Sequence, residues 1–258
     1  MDDDANKGNS RLVKTISFLS PNESSELDDL SYRKSIELEV KLRYSVNMLE
    51  GDTGCSIWPS SLFLSEFILS FPELFSDKCC FEIGAGVGLV GICLSYVKAS
   101  KVILSDGDLS TLANMKVNLE LNHLSTGNHT LGNPVHCVCL PWESASDNDI
   151  RRYAPDVILG ADIIYDPTCL PHLVRVLAAL LKHDHDFDSS QGNGIVNDRV
   201  AYIASVIRNI DTFDSFLALA EQANLVIADV TEKTRVYNFL PYLGSYQRSA
   251  IRLFKIHL

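Results

Sequence analysis

Apolar and polar residues alternate strictly between residues 36 and 48. Every second position is apolar, namely Ile36, Leu38, Val40, Leu42, Tyr44, Val46 and Met48. A period of two is typical of a β-strand, in which successive side chains point to opposite faces. The pattern predicts an extended, half-buried strand or a bent hairpin.

The residues before this strand are rich in Asp, Ser, Asn and Glu, apart from an apolar patch between Leu12 and Leu19. Such a composition cannot bury enough apolar surface to offset the entropy lost on ordering. We therefore expect a mobile acidic tail over residues 1–31. The rest of the chain, residues 32–258, is expected to form one domain with a β extension at its start.

Strands and helices alternate after Trp58. The first helix is expected to begin near Pro59 and to end before Pro72, because proline is favoured at a helix start and disfavoured in its interior. Apolar runs predict strands at Cys79–Ile83, Lys101–Ser105, Val135–Leu140, Val157–Gly160, Val200–Ile207, Leu225–Thr231 and Ala250–Ile256. Helical spacing predicts helices at Ser60–Phe71, Leu89–Val97, Asp108–Asn122, Pro167–Lys182 and Asp211–Ala223.

This order predicts an α/β fold with a doubly wound, mostly parallel, seven-stranded sheet of the Rossmann-like kind. The last two strands have no helical pattern between them, which predicts a C-terminal antiparallel hairpin. The polar segment from His183 to Asp198 is expected to be a loop. Its His183-Asp184-His185-Asp186 run has residue types that bind metals, but we interpret it as solvated loop and expect no metal site.

The predicted strand Cys79–Ile83 runs into Gly84-Ala85-Gly86-Val87-Gly88 and then into a helix. Glycines permit both a positive φ and a close approach of the backbone to a ligand, and the helix N-terminus favours negative charge. This arrangement is typical of a nucleotide-like cofactor site. Asp106 ends the next predicted strand, where a carboxylate can bind ribose hydroxyls, while Asp108 fits the role of helix cap better.

The glycine-rich segment fits two known cofactor-binding patterns, and the motif itself does not decide between them. Gly86-x-Gly88-x-x-Gly91 matches a dinucleotide-binding pattern, whereas Glu82-x-Gly84-x-Gly86-x-Gly88 matches S-adenosylmethionine-dependent methyltransferases. The first register would place the strand end at Ala85, after a glycine that is a poor strand residue.

Several short motifs together support the second register. They are Gly54-Cys55-Ser56-Ile57-Trp58-Pro59-Ser60-Ser61, Glu82–Leu89, Ser105-Asp106, Leu140-Pro141-Trp142 and Ala161-Asp162-Ile163-Ile164-Tyr165. In this combination the chain resembles the seven-β-strand methyltransferases, and within them the protein-lysine methyltransferases called family sixteen. The segment Asn47–Trp58 resembles the branch that methylates elongation factor 2.

The resemblance implies transfer of a methyl group from S-adenosyl-L-methionine to a lysine of a protein substrate. It implies a cofactor site made of Trp58, Glu82, Gly84, Ala85, Gly86, Asp106, Trp142 and Ala161. It places Trp58 at the methionine end, Trp142 over the adenine and Glu82 behind the glycine turn. Asp162 and Tyr165 are implied to face the target amine as catalytic residues.

Each role has a structural alternative, such as a core position for Trp58 or a helix cap for Asp162. Two departures from the group also stand out. Pro141 occupies a position where the group often has Asp, which removes a polar contact and a backbone donor. The segment before Gly54 is short for this branch, so we expect reduced substrate docking there. Alternative functions are a nicotinamide-dependent oxidoreductase and a non-catalytic cofactor-binding partner protein.

Composition restricts the possible partners and location. The formal net charge of −11 argues against general nucleic-acid binding, which needs clustered Lys and Arg. None of the seven cysteines stands in a Cys-x-x-Cys pair, which favours free thiols in a reducing compartment. The acidic start argues against a signal peptide, and the lack of a long apolar run argues against a membrane span. We expect a cytoplasmic monomer.

Overall fold

The computed structural model describes residues 11–20, 36–46, 53–124, 135–182 and 199–258. The strands in these ranges are β1 (Arg11–Leu19), β2 (Ile36–Ser45), β3 (Cys79–Ile83), β4 (Lys101–Asp106), β5 (Val135–Cys139), β6 (Val157–Ala161), β7 (Val200–Val206), β8 (Val226–Asp229) and β9 (Ile251–His257). The helices are α1 (Pro59–Ser70), α2 (Leu89–Tyr96), α3 (Leu109–Leu121), α4 (Asp147–Arg151), α5 (Leu170–Leu181) and α6 (Ile210–Gln222).

The main sheet has seven strands in the order β5-β4-β3-β6-β7-β9-β8. The first five are parallel, and β9 lies between β7 and β8, antiparallel to both. The predicted doubly wound sheet and its C-terminal antiparallel hairpin are therefore confirmed. Strand order reverses direction between β3 and β6, and in open α/β sheets the crevice at such a point, beyond the carboxyl ends of the strands, is where ligands bind.

Helices cover both faces of this sheet because each central strand is apolar on both sides. In β4, Val102 and Leu104 are buried in one core cluster and Ile103 in the other. The first cluster includes residues of α1, α2 and α3, and the second includes residues of α4, α5 and α6. This three-layer arrangement is the usual consequence of parallel strands that are buried on both faces.

The N-terminal hairpin corrects the expectation of a tail over residues 1–31. β1 (Arg11–Leu19) pairs antiparallel with β2, and its Ile16 lies opposite Val40. Ile16 and Phe18 are fully buried with Val40 in the first core cluster. Apolar and polar residues alternate in the second half of the patch, so pairing with β2 buries Ile16 and Phe18, whereas Leu12 and Val13 stay exposed. The other residues of that expected tail lie outside the described ranges, and the alternating pattern that follows is confirmed as a strand.

Asparagines spaced four apart on α3 bind the backbone of β2. Asn118 Oδ1 accepts a hydrogen bond from Arg43 N at 2.6 Å, and its Nδ2 donates to Arg43 O at 3.0 Å. Asn122 makes the same two contacts with Lys41, at 2.9 and 2.7 Å. Residues at i and i+4 share one helix face, so these side chains pair with a strand edge whose amides would otherwise face no strand partner. Asn118 Nδ2 also donates to Val87 O at 2.9 Å, which links the hairpin to the glycine turn.

Some local expectations were wrong. The short helix α4 was not predicted, although Ser146 caps it by accepting a hydrogen bond from Asp149 N. Helix α5 begins at Leu170 and not at Pro167. The polar loop from His183 to Asp198 lies outside the described residues. Across the described ranges, no helix is both long and apolar enough to cross a bilayer.

Candidate functional site

A turn in which every second residue is glycine follows β3 at the carboxyl edge of the sheet. Gly84, Gly86 and Gly88 all have positive φ, at 63°, 53° and 82°. A β-carbon on Gly84 would lie 2.9 Å from the Ile163 side chain, and one on Gly86 would lie 3.0 Å from the Gly54 carbonyl oxygen. Only glycine fits these positions, so the turn keeps its backbone accessible.

The position of this turn bears on the two glycine registers. β3 ends at Ile83, so Gly84 is the first residue after the strand. The dinucleotide register required the strand to continue to Ala85. Instead, Ala85 lies outside β3, and its N–H donates a hydrogen bond to the Ser105 carbonyl at 2.8 Å. The register that begins at Gly84 is the one that the backbone follows.

The Asp106 carboxylate holds the glycine turn against β4. Its Oδ2 accepts from Gly86 N and its Oδ1 from Asp108 N, each at 3.1 Å. Burial raises the pKa of Asp106, and these N–H donors partly offset that rise. Each carboxylate oxygen can accept about two hydrogen bonds, so acceptor positions remain for ligand hydroxyls. Asp108 caps α3 by accepting from Thr111 N at 2.6 Å, as expected.

Glu82 lies directly behind the turn, in β3. Its side chain is buried, and its Oε2 has no hydrogen-bond partner within the described part of the chain. Burial raises its pKa well above the ordinary value of a glutamate, and the nearby Asp106 charge raises it further. A buried carboxyl without a cation partner is tolerated in its protonated form. Glu82 is therefore a proton-bearing group beside the glycine turn.

Trp142 follows β5 and borders the same turn. Its Cζ2 atom lies 3.6 Å from the position that a β-carbon on Gly84 would take. Its carbonyl accepts a hydrogen bond from Arg175 Nη2 at 2.6 Å, which fixes the backbone of this segment to α5. The indole is half-buried, so it presents an apolar face next to the glycines, as a ring-stacking role requires.

Asp162 follows Ala161, the last residue of β6, and has the left-handed backbone conformation with φ of 57°. Its N–H donates to Ala204 O at 2.8 Å, and its Oδ1 accepts from Val206 N at 3.3 Å. The side chain is almost fully buried, with 4% exposed. Cys169 occupies the N-cap position of helix α5, so the alternative role of Asp162 as its cap does not apply.

Arg208, which the sequence analysis missed, joins Asp162 to Trp58. Its Nη1 and Nη2 donate to Asp162 Oδ1 and Oδ2 at 3.0 and 2.9 Å. Its Cζ atom lies 5.4 Å from the centroid of the Trp58 ring, within cation–π range. The signal was available: Arg208 follows the apolar strand β7 at the edge where Asp162 follows β6.

Trp58 is held in place from the other side as well. Its Nε1 donates to the Thr53 carbonyl at 3.1 Å, and α1 begins at the next residue, Pro59. The indole is half-buried. It is therefore an indole fixed between a backbone carbonyl and a guanidinium, and not a plain core residue.

Tyr165 stands at the outer side of this group of residues, with 62% of its surface exposed. Its pKa is raised by partial burial and by four neighbouring groups, which are Cys169, Asp166, Asp106 and Glu143. The phenol keeps its proton at neutral pH and can donate a hydrogen bond. Tyr165 lies four residues after Ala161, the last residue of β6, and so belongs to the carboxyl edge of the sheet.

These residues fit a nucleoside-like cofactor with a charged end. The glycine turn leaves room for close approach, Asp106 offers acceptors for hydroxyls, and the Trp142 ring can cover a base. The unpartnered Glu82 oxygen adds an orphaned polar atom behind the turn. Such groups normally have a partner, so a ligand or a water that binds there is consistent with the arrangement.

Comparisons with known proteins agree with this geometry. A family model described as lysine methyltransferase matches residues 37–190. An uncharacterized protein of Dictyostelium discoideum is 34% identical and covers 80% of this chain and 59% of its own length. The mouse protein-lysine N-methyltransferase EEF2KMT is 27% identical and covers 81% and 59%. EFM3, a protein-lysine N-methyltransferase of Chaetomium thermophilum, is 32% identical and covers 65% and 47%.

The chain thus spans about three fifths or less of the length of these curated relatives. Among solved structures, the 16S rRNA N2 G1207 methyltransferase of T. thermophilus matches with a TM-score of 0.53 and 16% identity, over 95% of this chain and 50% of its own. A methyltransferase fold from Streptococcus mutans matches with a TM-score of 0.51 and 13% identity, over 86% and 53%. At these identities the structures support the fold alone.

Proposed function

The chain belongs to the lysine methyltransferase family, and from this premise we propose that it methylates the ε-amine of a lysine in a protein substrate. Membership of this family supports the methyltransferase class and, as its cofactor, S-adenosyl-L-methionine. The observation that carries the proposal is one of placement. The glycine turn after β3 and the buried Asp162 after β6 stand at the carboxyl ends of two neighbouring parallel strands.

The positions of the residues support the cofactor roles that we propose for them. Gly84, Ala85 and Gly86 bring backbone groups close to the methionine part, with Glu82 behind them and Trp58 at the same end. Asp106 accepts hydrogen bonds from the ribose hydroxyls. The Trp142 ring covers the adenine, and the small side chain of Ala161 leaves room beside it.

The chemistry at the acceptor side requires alignment and loss of a proton. When bound, S-adenosyl-L-methionine supplies a methyl group already activated on a sulfonium. A lysine amine is protonated near neutral pH and must lose a proton before its lone pair can attack. Asp162 accepts a hydrogen bond from the amine and orients it, since correct placement of reacting groups supplies a large part of such a barrier reduction. Tyr165 narrows the pocket and adds a contact, and the proton leaves to water.

Elongation factor 2 is the substrate that we propose. The segment Asn47–Trp58 resembles the branch that methylates this factor, and relatives named EEF2KMT and EFM3 share the protein-lysine N-methyltransferase description. We further propose a cytoplasmic monomer that acts on protein and on neither nucleic acid nor membranes. The acidic net charge of −11 supports the exclusion of nucleic acid.

A labelling experiment with two substrates tests the proposal. The protein is incubated with cofactor that carries a labelled methyl group and with recombinant elongation factor 2 that lacks methyl-lysine. A cytosolic extract serves as the second substrate. Asp162→Asn, which keeps the size of the side chain, is the control and should transfer the methyl group far more slowly while it retains cofactor binding. Mass spectrometry then locates the label.

The outcomes separate the two levels of the proposal. Label on a lysine of elongation factor 2 supports both the reaction and the substrate. Label on lysines of other proteins only keeps the reaction and overturns the substrate. Label in small molecules and in no protein overturns the protein-lysine activity itself.

A further inference from the structure

Arg208 forms a bidentate ion pair with Asp162, and its guanidinium packs on the Trp58 ring. We propose that Arg208 is a positioning residue for the target lysine, acting through Asp162: it fixes the carboxylate so that one remaining acceptor position on Oδ2 receives the amine. This inference rests on the proposed function, and it identifies Arg208 as the residue that positions Asp162 in the proposed site.

The hydrogen bonds of Asp162 explain why a single acceptor position remains. Oδ1 accepts from Arg208 Nη1 and from Val206 N, whereas Oδ2 accepts from Arg208 Nη2. A carboxylate has about four acceptor positions in all. Three of them are used within the described part of the chain, and the fourth belongs to Oδ2. The bidentate pair also prevents rotation of the carboxylate, so this position has a fixed direction.

Both the side chain and the backbone of Arg208 are fixed by neighbouring parts of the fold. Its guanidinium lies over the Trp58 ring, 5.4 Å from the centroid. Its backbone lies in the short segment between β7, which ends at Val206, and α6, which begins at Ile210. Asn209 caps that helix by accepting from Thr212 N at 3.1 Å. The arginine can therefore transmit a fixed geometry from the sheet edge to Asp162.

Arg208 also neutralises the buried charge of Asp162. Asp162 has only 4% of its side chain exposed, and a buried carboxylate is costly unless it is paired and hydrogen-bonded. Arg208 supplies that pairing with a side chain that is itself 46% exposed. A lysine could neutralise the same charge, but its ammonium cannot reproduce the planar fork that binds both oxygens at once.

The test compares Arg208→Lys, Arg208→Ala, Asp162→Asn and the double variant Asp162→Asn/Arg208→Ala. The kcat and the KM for the protein substrate are measured for each, with cofactor Kd from calorimetry. We expect Arg208→Ala to lower kcat about 100-fold, the loss that follows misplacement of a reacting group. Cofactor Kd should change less than about threefold, and Arg208→Lys should recover only part of kcat. If Arg208 acts through Asp162, the double variant is no slower than Asp162→Asn alone.

Arg252 offers a matched control. It pairs with Asp229 on the hairpin of β8 and β9, and its side chain is 41% exposed, close to the value for Arg208. Arg252→Ala and Arg252→Lys remove an ion pair that is made with Asp229 and not with Asp162, and they should leave kcat unchanged. If Arg208→Ala does not fold, the Arg208→Lys comparison decides the matter.

The result has distinct ways to fail. A wild-type protein that labels no protein overturns the proposed function and this inference together. Full kcat in Arg208→Lys, or losses that multiply in the double variant, overturns the role of Arg208 and leaves the proposed function intact. A kcat loss in the Arg252 variants as large as that in Arg208→Ala does the same.

Discussion

The carboxylate of Asp106 accepts a hydrogen bond from the backbone N–H of Gly86 at 3.1 Å. Besides the ribose-binding role proposed for it, Asp106 therefore also fixes the glycine turn. Because Asp106 ends β4 and the turn follows β3, this contact couples the ends of two neighbouring strands. Cofactor affinity and loop order should therefore depend on the same carboxylate.

Asp106→Asn should weaken cofactor binding more than it lowers stability. The amide keeps one acceptor oxygen but loses the charge and the second acceptor. Hydrogen bonds to charged groups contribute about 1.5–3 kcal/mol, so we expect a Kd for S-adenosyl-L-methionine about tenfold or more above that of the wild type. Calorimetry measures the Kd, and thermal unfolding checks that the variant is folded.

Asp108→Asn is the matched control for this change. Asp108 is the neighbouring carboxylate, and it caps α3 through Thr111 N, a role that asparagine fills equally well. Its cofactor Kd should stay close to the wild-type value. An equal loss of affinity in both variants would show that charge in this region, and not the Asp106 contact, is what matters.

Glu82 should give the protein a stability that falls as pH rises. Burial raises its pKa in the folded state above the value of 4.5 expected of an ordinary glutamate, so between that pH and the raised pKa the unfolded chain binds fewer protons than the folded one. The unfolding free energy then falls with pH, by at most about 1.4 kcal/mol per pH unit for one group.

Glu82→Gln removes this titration and tests it directly. Urea unfolding of wild type and variant between pH 5 and pH 8 should give a difference that shifts in favour of the variant as pH rises. Comparing the two proteins cancels the titration of all other groups. Parallel curves over this range would contradict the raised pKa of Glu82.

Asn118→Ala should destabilise the protein by about 2 kcal/mol, because it leaves Arg43 N and Val87 O without the partner that satisfies them. Asn122→Ala is the control, since its bonds to Lys41 are exposed to solvent and water can replace them. Equilibrium unfolding in urea measures both. Equal effects would mean that the link between α3 and the glycine turn adds nothing.

Much of the fold follows from apolar periodicity along the chain. The strand Cys79–Ile83 was predicted to the residue, because Gly84 is a poor strand residue and marks the strand end. The β1 strand was missed because its apolar patch lies in a polar segment and its burial depends on a distant partner, β2. The short helix α4 was missed since five residues are too few to show a helical period.

The candidate site was predicted in part for the same reason. Asp106 is the last residue of β4 and Asp162 directly follows β6, and the order of strands along the chain indicates that these strand ends share one edge of the sheet. Arg208 also follows a strand, but its contact with Asp162 joins residues 46 positions apart, and one sequence does not reveal such a pairing. The buried state of Glu82 could be expected from β3, whereas its unpartnered oxygen could not.

Trp142 should determine the affinity for the adenine part of the cofactor. Its ring borders Gly84, with Cζ2 at 3.6 Å from the position of a β-carbon there, and stacking of an aromatic ring on a base contributes about 1–3 kcal/mol. Trp142→Ala should therefore raise the cofactor Kd about tenfold or more, whereas Trp142→Phe, which keeps an aromatic face, should raise it much less. Calorimetry with S-adenosyl-L-methionine and with free adenosine separates the contributions, because a stacking defect must weaken both ligands by the same factor. A loss seen with the full cofactor alone would place the ring against another part of the ligand.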